Sequence, residues 1–224
     1  MDTRYFCPVC ESWVAGFLAK GTPPKPGVKC PVCKSNGRSR YAWVFLQRNT
    51  DLFDGRRKSL LHFAPEPALL KPMERIPGLD YLTADLDPSR AMVRVDITDI
   101  QFEGNRFDAL YCSHVLEHVP DDRRAIRELL RVLKPGGWAL FMVPIKRDRT
   151  YEDPGITDPA ERERIFGQHD HVRAYGPDFL DRLTEAGFHA RAMRLQDVLG
   201  TEEAEMFGVQ NSPSMVIFFA TKPR

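Results

Sequence analysis

The sequence lacks any long apolar run and any repeat or low-complexity tract. No uninterrupted apolar stretch approaches the ~18–20 residues that a helix needs to cross a bilayer. The first ten residues, MDTRYFCPVC, lack the apolar core of a signal peptide. We therefore expect a cytoplasmic protein without a membrane partner. Because 42% of the 224 residues are hydrophobic, the chain can bury a full core, which excludes a disordered chain and predicts one medium domain with a small appendage.

Cysteine is scarce, and its distribution is uneven. Of five cysteines, four form two CPVC pairs within the first 33 residues: Cys7 with Cys10, and Cys30 with Cys33. In a reducing compartment this spacing indicates metal binding before disulfides and matches a tetrahedral zinc site without an open position. We predict a structural Zn²⁺ here, with a redox-active dithiol pair or chance spacing as the alternatives. Cys112 stands alone and is expected to pack as a small hydrophobe.

The chain also lacks a large net charge, but its two parts differ. Residues 1–58 carry 11 Lys and Arg against 4 Asp and Glu, and the remainder carries 21 against 27, for a net charge of +1 overall. A four-thiolate zinc site would subtract about two charges from the basic head. This asymmetry favours an anionic partner for the head without proving one.

Apolar patterning predicts the organisation of the chain. Residues 1–39 read as a zinc-ribbon-like module whose connection GTPPKPG excludes a long helix, and residues 40–58 as a linking helix. In residues 59–224, helix-like segments alternate with short apolar runs, which predicts a doubly wound α/β sheet. The predicted strands are SLLHF, DYLTAD, MVRVD, FDALYC and WALFMV.

Two later segments complete this prediction. A helix is expected from Asp121, its cap, to Lys134, followed by PGG, with Ile126, Leu129, Leu130 and Leu133 on one face. Another is expected over residues 178–186, followed by FHARAMRL and SMVIFFATK as two edge strands.

The stretch FDALYCSHVLEHVPDDRRAIRELLRVLKPGGWALFMVP, residues 107–144, resembles the fourth strand, following helix and fifth strand of class I methyltransferases of the type 11 group. The resemblance implies a Rossmann-like, seven-stranded sheet that binds S-adenosylmethionine outside the carboxyl ends of its strands. It also implies that Asp85 accepts hydrogen bonds from the ribose hydroxyls and that Asp96 lies near the adenine amino group. The residues expected to contact the cofactor are His62, Ala64, Glu66, Asp85, Leu86, Asp96, Ile97, Ser113 and His114.

One motif departs from the family. The first strand normally runs into a glycine-rich loop, whereas here LHFAPEPALL, residues 61–70, contains no glycine and His62 replaces the usual acid. Either the loop binds the cofactor in a modified way, with Glu66 on the methionine amino group, or the site has lost its cofactor. The LHFAPE variant with an upstream CPxC pair also resembles methyltransferases of bacterial biosynthetic clusters, including polysaccharide clusters.

Candidate catalytic residues come from two histidine clusters. Methyl transfer to a protonated acceptor needs a general base, for which histidine is suited near neutral pH. A lid insertion is expected at about residues 146–177, where HVRAY resembles a family motif. The bases predicted are His171, His169 and His118, and the acceptor-binding residues predicted are Arg173, Tyr175 and Tyr151. Alternatively, the lid residues only order the lid through hydrogen bonds and salt bridges.

The segment from His114 to His118 also resembles the ExxEH metal motif of ubiquinone-biosynthesis O-methyltransferases, with His114 in place of the first Glu, which leaves a second metal open.

The sequence therefore predicts a methyltransferase acting on an oxygen or nitrogen of a small-molecule or sugar-pathway acceptor. Two other functions stay open. The basic zinc head could hold RNA phosphates, as in an RNA methyltransferase, although it has few aromatic residues for base stacking. A protein with a lost cofactor site would instead be a non-catalytic scaffold. The oligomeric state is not indicated.

Overall fold

The computed structural model describes residues 4–20, 25–210, 212 and 214–224, so most of the predicted GTPPKPG connection lies outside the described residues. The chain divides into two units. The first is drawn from residues 1–57, 66–79 and 194–215, and the second from residues 58–65, 80–193 and 216–224. Within the described residues, no helix combines the length and the apolar character that a membrane span requires.

In its described residues, the first unit contains two short antiparallel strand pairs and three α-helices. Strands β1 (Tyr5–Cys7) and β2 (Ser12–Val14) pair with each other, as do β3 (Leu18–Lys20) and β4 (Lys25–Lys29). Each pair carries one CPVC turn at its end.

The helices of the first unit are α1 (Gly37–Asn49), α2 (Pro67–Glu74) and α6 (Thr201–Met206). Helix α1 overlaps the linking helix predicted over residues 40–58, but it begins three residues before Arg40 and ends at Asn49. It begins there because the Asn36 side chain caps its first turn by accepting a hydrogen bond of 2.9 Å from the Ser39 backbone N–H.

The second unit is built on one seven-stranded sheet among the described residues. Its strands are β5 (Lys58–Phe63), β6 (Leu79–Asp85), β7 (Val93–Arg94), β8 (Phe107–Ser113), β9 (Leu133–Met142), β12 (His189–Arg194) and β13 (Val216–Thr221). Their order across the sheet is β12-β13-β9-β8-β5-β6-β7. The pairs β5–β8, β8–β9 and β6–β7 are parallel, whereas β13 runs antiparallel to β9. The predicted seven-stranded, Rossmann-like sheet is thus confirmed.

All five predicted inner strands form, but their lengths differ from the prediction. MVRVD yields only the two-residue strand β7, and β9 begins at Leu133, so that the PGG turn lies within the strand. A side chain at Gly137 would place its Cβ 2.7 Å from the carbonyl oxygen of Asp108, so only glycine fits there. The two predicted edge strands are neighbours, as expected, but only β12 lies at the edge of the sheet, because β13 lies between β12 and β9.

Two helices of the second unit follow the predicted pattern. Helix α3 (Asp122–Val132) begins where expected, because Asp121 accepts a hydrogen bond of 2.8 Å from the Arg124 backbone N–H. Ile126 and Leu129 are fully buried in the main core of this unit. The helix ends at Val132, before the predicted end at Lys134, and Leu133 is the first residue of β9 instead of a helical residue. Helix α5 (Phe179–Glu185) follows the sequence prediction to within a residue at either end.

The predicted lid segment has its own secondary structure. Strand β10 (Tyr151–Glu152) pairs antiparallel with β11 (Arg173–Ala174), and helix α4 (Pro159–Phe166) lies between them in the chain. The Asp158 side chain caps α4, accepting from the Glu161 backbone N–H at 2.8 Å. The segment is therefore an ordered insertion with a small core around Phe166.

Candidate active site

A cavity of about 690 Å³ opens at the carboxyl ends of β5, β6 and β8. This is the edge of a parallel sheet at which ligands bind in open α/β folds, and the volume is that of a site for a drug-sized ligand. Its polar lining includes Asp85, Arg90, Asp96, Thr98, His114, His118, Asp121, Gln168 and Asp170. The apolar lining includes Phe63, Leu86, Ile97 and Val119.

The backbone is strained at two of the strand ends that face this cavity. Ala64, just after β5, has φ of 47°, and His114, just after β8, has φ of 55°. Left-handed conformations cost a non-glycine residue roughly 1–2 kcal/mol and cluster at functional sites. Ala64 donates its backbone N–H to Ala84 O at 2.8 Å, which holds the turn. Ala64 thus adopts at the first loop a conformation that glycine favours.

Two carboxylates line the cavity: Asp85 at the end of β6 and Asp96 shortly after β7. Asp85 Oδ1 accepts from the Asp87 backbone N–H at 2.9 Å, and its Oδ2 is 4.0 Å from Arg90 Nε. Asp96 accepts from the Thr98 hydroxyl at 2.7 Å and from its N–H at 2.8 Å. These two hydrogen bonds hold the pKa of Asp96 below its ordinary value, so the carboxylate is ionised at neutral pH.

A buried carboxylate and three histidines lie beside the cavity. His114 Nδ1 is 2.9 Å from Glu117 Oε1, and His118 Nδ1 is 3.1 Å from Asp170 Oδ2. The rings of His118 and His171 stack edge to face with centroids 4.7 Å apart. Glu117, His118 and His171 each offer a ligand atom within 4.8 Å of the others, a donor set that could hold a divalent metal.

Charge and burial shift the pKa values of two residues in this cluster, Glu117 and His171. Burial works to raise the pKa of Glu117, but the hydrogen bond and charge of His114 outweigh it, so the pKa lies below the ordinary value. Burial is also the main reason why the pKa of His171 is lowered, and its Nδ1 is 3.3 Å from the Phe166 carbonyl oxygen. His171 is therefore neutral near pH 7, whereas Glu117 is charged.

The cavity lining includes six of the nine predicted cofactor residues: Ala64, Asp85, Leu86, Asp96, Ile97 and His114. His62 is buried in the sheet with Nδ1 2.8 Å from the Tyr81 hydroxyl, and Ser113 is buried near the end of β8. Glu66 belongs to the first unit, where it immediately precedes α2. The roles of these three remain predictions.

The predicted acceptor-binding residues Arg173 and Tyr175 are not among the residues that line the cavity. Arg173 is buried and donates to the carbonyl oxygens of Leu116, Val119 and Pro120 and to Glu152. Tyr175, also buried, donates its hydroxyl to Asp122 Oδ2 at 2.5 Å.

These contacts are those of the alternative reading, in which the lid residues order the lid. Tyr151 and His169 are exposed. The structure also brings forward Asp170 and Arg90, which the sequence analysis did not single out, and places Glu117 of the ExxEH-like segment beside His114. In the sequence, Asp170 lies between His169 and His171, and this position was the signal that could have identified it.

The four predicted zinc ligands meet in the first unit. Cys7 Sγ is 3.6 Å from Cys33 Sγ, Cys10 Sγ is 3.8 Å from Cys30 Sγ, and all four sulfurs lie within 4.8 Å of one another. These distances exceed the ~2.05 Å of a disulfide bond. Four convergent thiols and no other ligand type are the donor set of a closed zinc site.

Comparisons with known proteins bear on this arrangement. Residues 68–141 match the family described as "Methyltransferase domain". A ubiquinone biosynthesis O-methyltransferase of Coxiella burnetii is 30% identical over 110 residues, which cover 47% of this chain and 44% of that protein. One of Chromobacterium violaceum is 40% identical over 82 residues, 34% of each chain. The chain thus spans less than half the length of the curated relatives it matches.

Solved structures extend the comparison to most of the chain. An S-adenosylmethionine-dependent methyltransferase from Mesorhizobium loti matches with a TM-score of 0.58 at 17% identity, covering 81% of this chain and 98% of the other. The [4+2]-cyclase SpnF matches with a TM-score of 0.58 at 19% identity, covering 83% and 81%. The fold is that of the class I methyltransferases. The family match covers residues 68–141, and the curated relatives that overlap it are named O-methyltransferases.

Proposed function

We propose that the second unit binds S-adenosylmethionine in the 690 Å³ cavity and transfers its methyl group to an oxygen of a small-molecule acceptor. The observation that carries this proposal is the convergence of Asp85, Asp96 and left-handed Ala64 on one cavity at the carboxyl edge of the sheet. The names of the relatives favour oxygen over nitrogen as the acceptor atom. When bound, the cofactor supplies an electrophilic methyl group.

The chain's own residues supply the cofactor contacts. Asp85 lines the cavity, and its carboxylate oxygens can accept hydrogen bonds from the two ribose hydroxyls. Asp96 and the backbone of Ile97 would meet the adenine. Left-handed Ala64 turns the chain without a larger side chain, which supports the reading that the glycine-free loop is modified and not dead.

His118 is the best placed of the three predicted bases. It lines the cavity and is half-buried, whereas His171 is buried and His169 is exposed outside the lining. The contact of 3.1 Å between its Nδ1 and Asp170 Oδ2 orients the ring and leaves Nε2 to accept the proton of an acceptor hydroxyl. Asp170 stabilises the charge that His118 acquires.

We further propose that Cys7, Cys10, Cys30 and Cys33 hold a structural Zn²⁺ that stabilises the first unit. A site with four protein ligands has no open position for catalysis, and metal binding supplies folding free energy to a small module. The rival reading, a redox dithiol, predicts disulfide formation on mild oxidation instead of stoichiometric zinc.

The test of methyl transfer is release of S-adenosylhomocysteine with a panel of phenol, catechol and sugar hydroxyl acceptors. With an accepted substrate, His118→Gln should lower kcat by about 10²–10⁴-fold without changing cofactor affinity. Asp170→Asn should give a smaller loss. His189→Gln, an exposed histidine on β12, is the matched control and should leave turnover unchanged.

Other outcomes would change the assignment. Full turnover by His118→Gln with loss in His171→Gln would move the base to His171. Methyl transfer to RNA, weakening steeply with salt, would replace the small-molecule acceptor by nucleic acid. No cofactor binding at all would favour the non-catalytic scaffold.

A further inference from the structure

Arg40, in the first turn of α1, is fully buried within the first unit. Its guanidinium donates to four backbone carbonyl oxygens: Phe207 O at 2.6 Å, Ser35 O at 2.7 Å, Gly208 O at 2.8 Å and Val28 O at 3.2 Å. One side chain thus joins the second cysteine pair's turn to the segment that follows α6.

The partners of this cation carry no formal charge. Besides the four carbonyl oxygens, the described residues give the Arg40 guanidinium only the Phe17 ring, 3.8 Å from Cζ. An ionised group buried without a counter-ion is strongly unfavourable. Burial lowers the pKa of Arg40, and the charges that oppose this effect are those of the four cysteines.

Ser35 links Arg40 to the cysteines. Its carbonyl oxygen accepts from Arg40 and also from the Cys30 backbone N–H at 2.8 Å. Its hydroxyl lies 3.3 Å from Cys7 Sγ and 3.1 Å from Cys33 Sγ. Arg40 is therefore linked through Ser35 to the sulfurs of Cys7 and Cys33 and to the backbone of Cys30. Four thiolates around one divalent ion carry a net charge of about −2, which a buried guanidinium at this position offsets.

We propose that Arg40 is the buried counter-ion of the zinc–thiolate site and that it couples metal loading to the order of the segment at Phe207 and Gly208. The inference rests on the proposed zinc site, which the four convergent thiols fit. Ser35 contacts the sulfurs of Cys7 and Cys33 through its hydroxyl and Arg40 through its carbonyl oxygen, so release of the sulfurs from a metal frees the turn that holds the guanidinium. The hydrogen bonds from Arg40 to Phe207 and Gly208 then lose their fixed anchor at that turn.

The experiment compares the full-length wild type with Arg40→Met, Arg40→Lys and the control Arg48→Met. Arg48 lies on the same helix and contacts Val198 O and Glu203 on the same later segment, but at the surface and away from the cysteines. Zinc affinity is measured by chelator competition. Arg40→Met should lose about 10–100-fold, as removal of groups behind metal ligands typically does, and Arg48→Met should stay within twofold.

A spectroscopic readout separates charge from packing. In the Co²⁺-substituted protein, loss of a positive charge beside the thiolates should move the thiolate-to-metal charge-transfer band to lower energy in Arg40→Met. Arg40→Lys should keep the band position while losing thermal stability, because it keeps the charge but not the four hydrogen bonds. Wild-type affinity and an unshifted band in Arg40→Met would overturn the proposal while leaving the zinc site intact.

A measurement on the wild type alone guards against a variant that does not fold. Removal of the metal should expose the backbone N–H groups of Gly208 and Val209, which bond to Glu205 O and Ala204 O, to hydrogen exchange. The N–H groups of α3 should stay protected. Unchanged exchange at 208 and 209 would contradict the coupling. A wild type that binds no metal would instead remove the zinc assignment, and the inference with it.

Discussion

Asp122 is the buried anion on which the lid contacts of the second unit depend, and its removal should be strongly destabilising. The residue is 2% exposed. Its Oδ2 accepts from the Tyr175 hydroxyl at 2.5 Å and from Arg182 Nη1 at 2.6 Å, and Arg173 Nε is 3.7 Å away. Substitution by Ala leaves two buried guanidinium groups short of an anion.

The expected loss of unfolding free energy depends on the contacts that Arg173 and Arg182 keep after the substitution. Breaking a buried ion pair by removing one partner costs about 3–5 kcal/mol. Glu152, whose side chain is 41% exposed, still contacts Arg173 at 2.8 Å and Arg182 at 2.9 Å. We therefore expect Asp122→Ala to cost about 3 kcal/mol, the lower end of that range.

Equilibrium urea unfolding followed by circular dichroism tests this expectation. Asp122→Asn, which keeps an acceptor for Tyr175 but not the charge, should lie between wild type and Asp122→Ala. Asp121→Ala removes an exposed carboxylate from the same turn and should cost only about 1 kcal/mol, through the lost cap. A loss below about 1 kcal/mol for Asp122→Ala would refute the claim that this network stabilises the unit.

Three further predictions concern stability. The free energy of unfolding of Ala64→Gly, measured with urea, should equal that of the wild type or exceed it by up to about 1 kcal/mol, because φ is 47° at this position. The free energy of unfolding of Ala64→Val should be lower than that of the wild type. The reverse order would contradict the left-handed turn. Burial opposes the ionisation of Glu152, but hydrogen bonds from Arg182 and Arg173 outweigh it and lower its pKa. Its stabilising contribution is therefore present above the ordinary pKa of 4.5 and is lost as the pH falls through the lower folded-state pKa, so the urea midpoint of wild type should drop more than that of Glu152→Gln between pH 5 and 3. Leu129→Ala should cost about 2–5 kcal/mol in the same assay, since Leu129 is fully buried in the main core; a cost under 1 kcal/mol would mean that the site collapses without a cavity.

Much of the fold could be predicted because its signals are local. The run SLLHF is buried in β5, and Asp121 caps α3 as its position before an apolar stripe predicted. The boundaries of helices and strands were harder to predict. The start of α1 depends on the Asn36 cap, which precedes the first apolar residue of the pattern, and the length of β7 depends on pairing with β6.

In the candidate site, too, the sequence predicted the position of some residues but not the contacts of others. Asp85, Asp96 and His114 follow strands, and parallel strands bring their carboxyl ends to one edge, so chain order alone predicts that they converge. Arg173 and Tyr175 share a motif with His171, but their contacts come from Asp122, Glu152 and Pro120, which are distant in the chain. No local pattern reports that pairing, so the sequence could not separate a lid contact from an acceptor contact.

Calorimetric titration of the zinc-replete protein with S-adenosylmethionine and S-adenosylhomocysteine tests whether the cavity of the second unit is the cofactor site. We expect both ligands to bind to the wild type and to Asp80→Ala, which removes an exposed carboxylate at the opposite end of β6. Asp85→Ala should weaken binding by about 10–100-fold, which corresponds to the loss of hydrogen bonds to a charged group. Equal affinity in Asp85→Ala and wild type, or no binding by the wild type, would contradict the assignment of this cavity as the cofactor site.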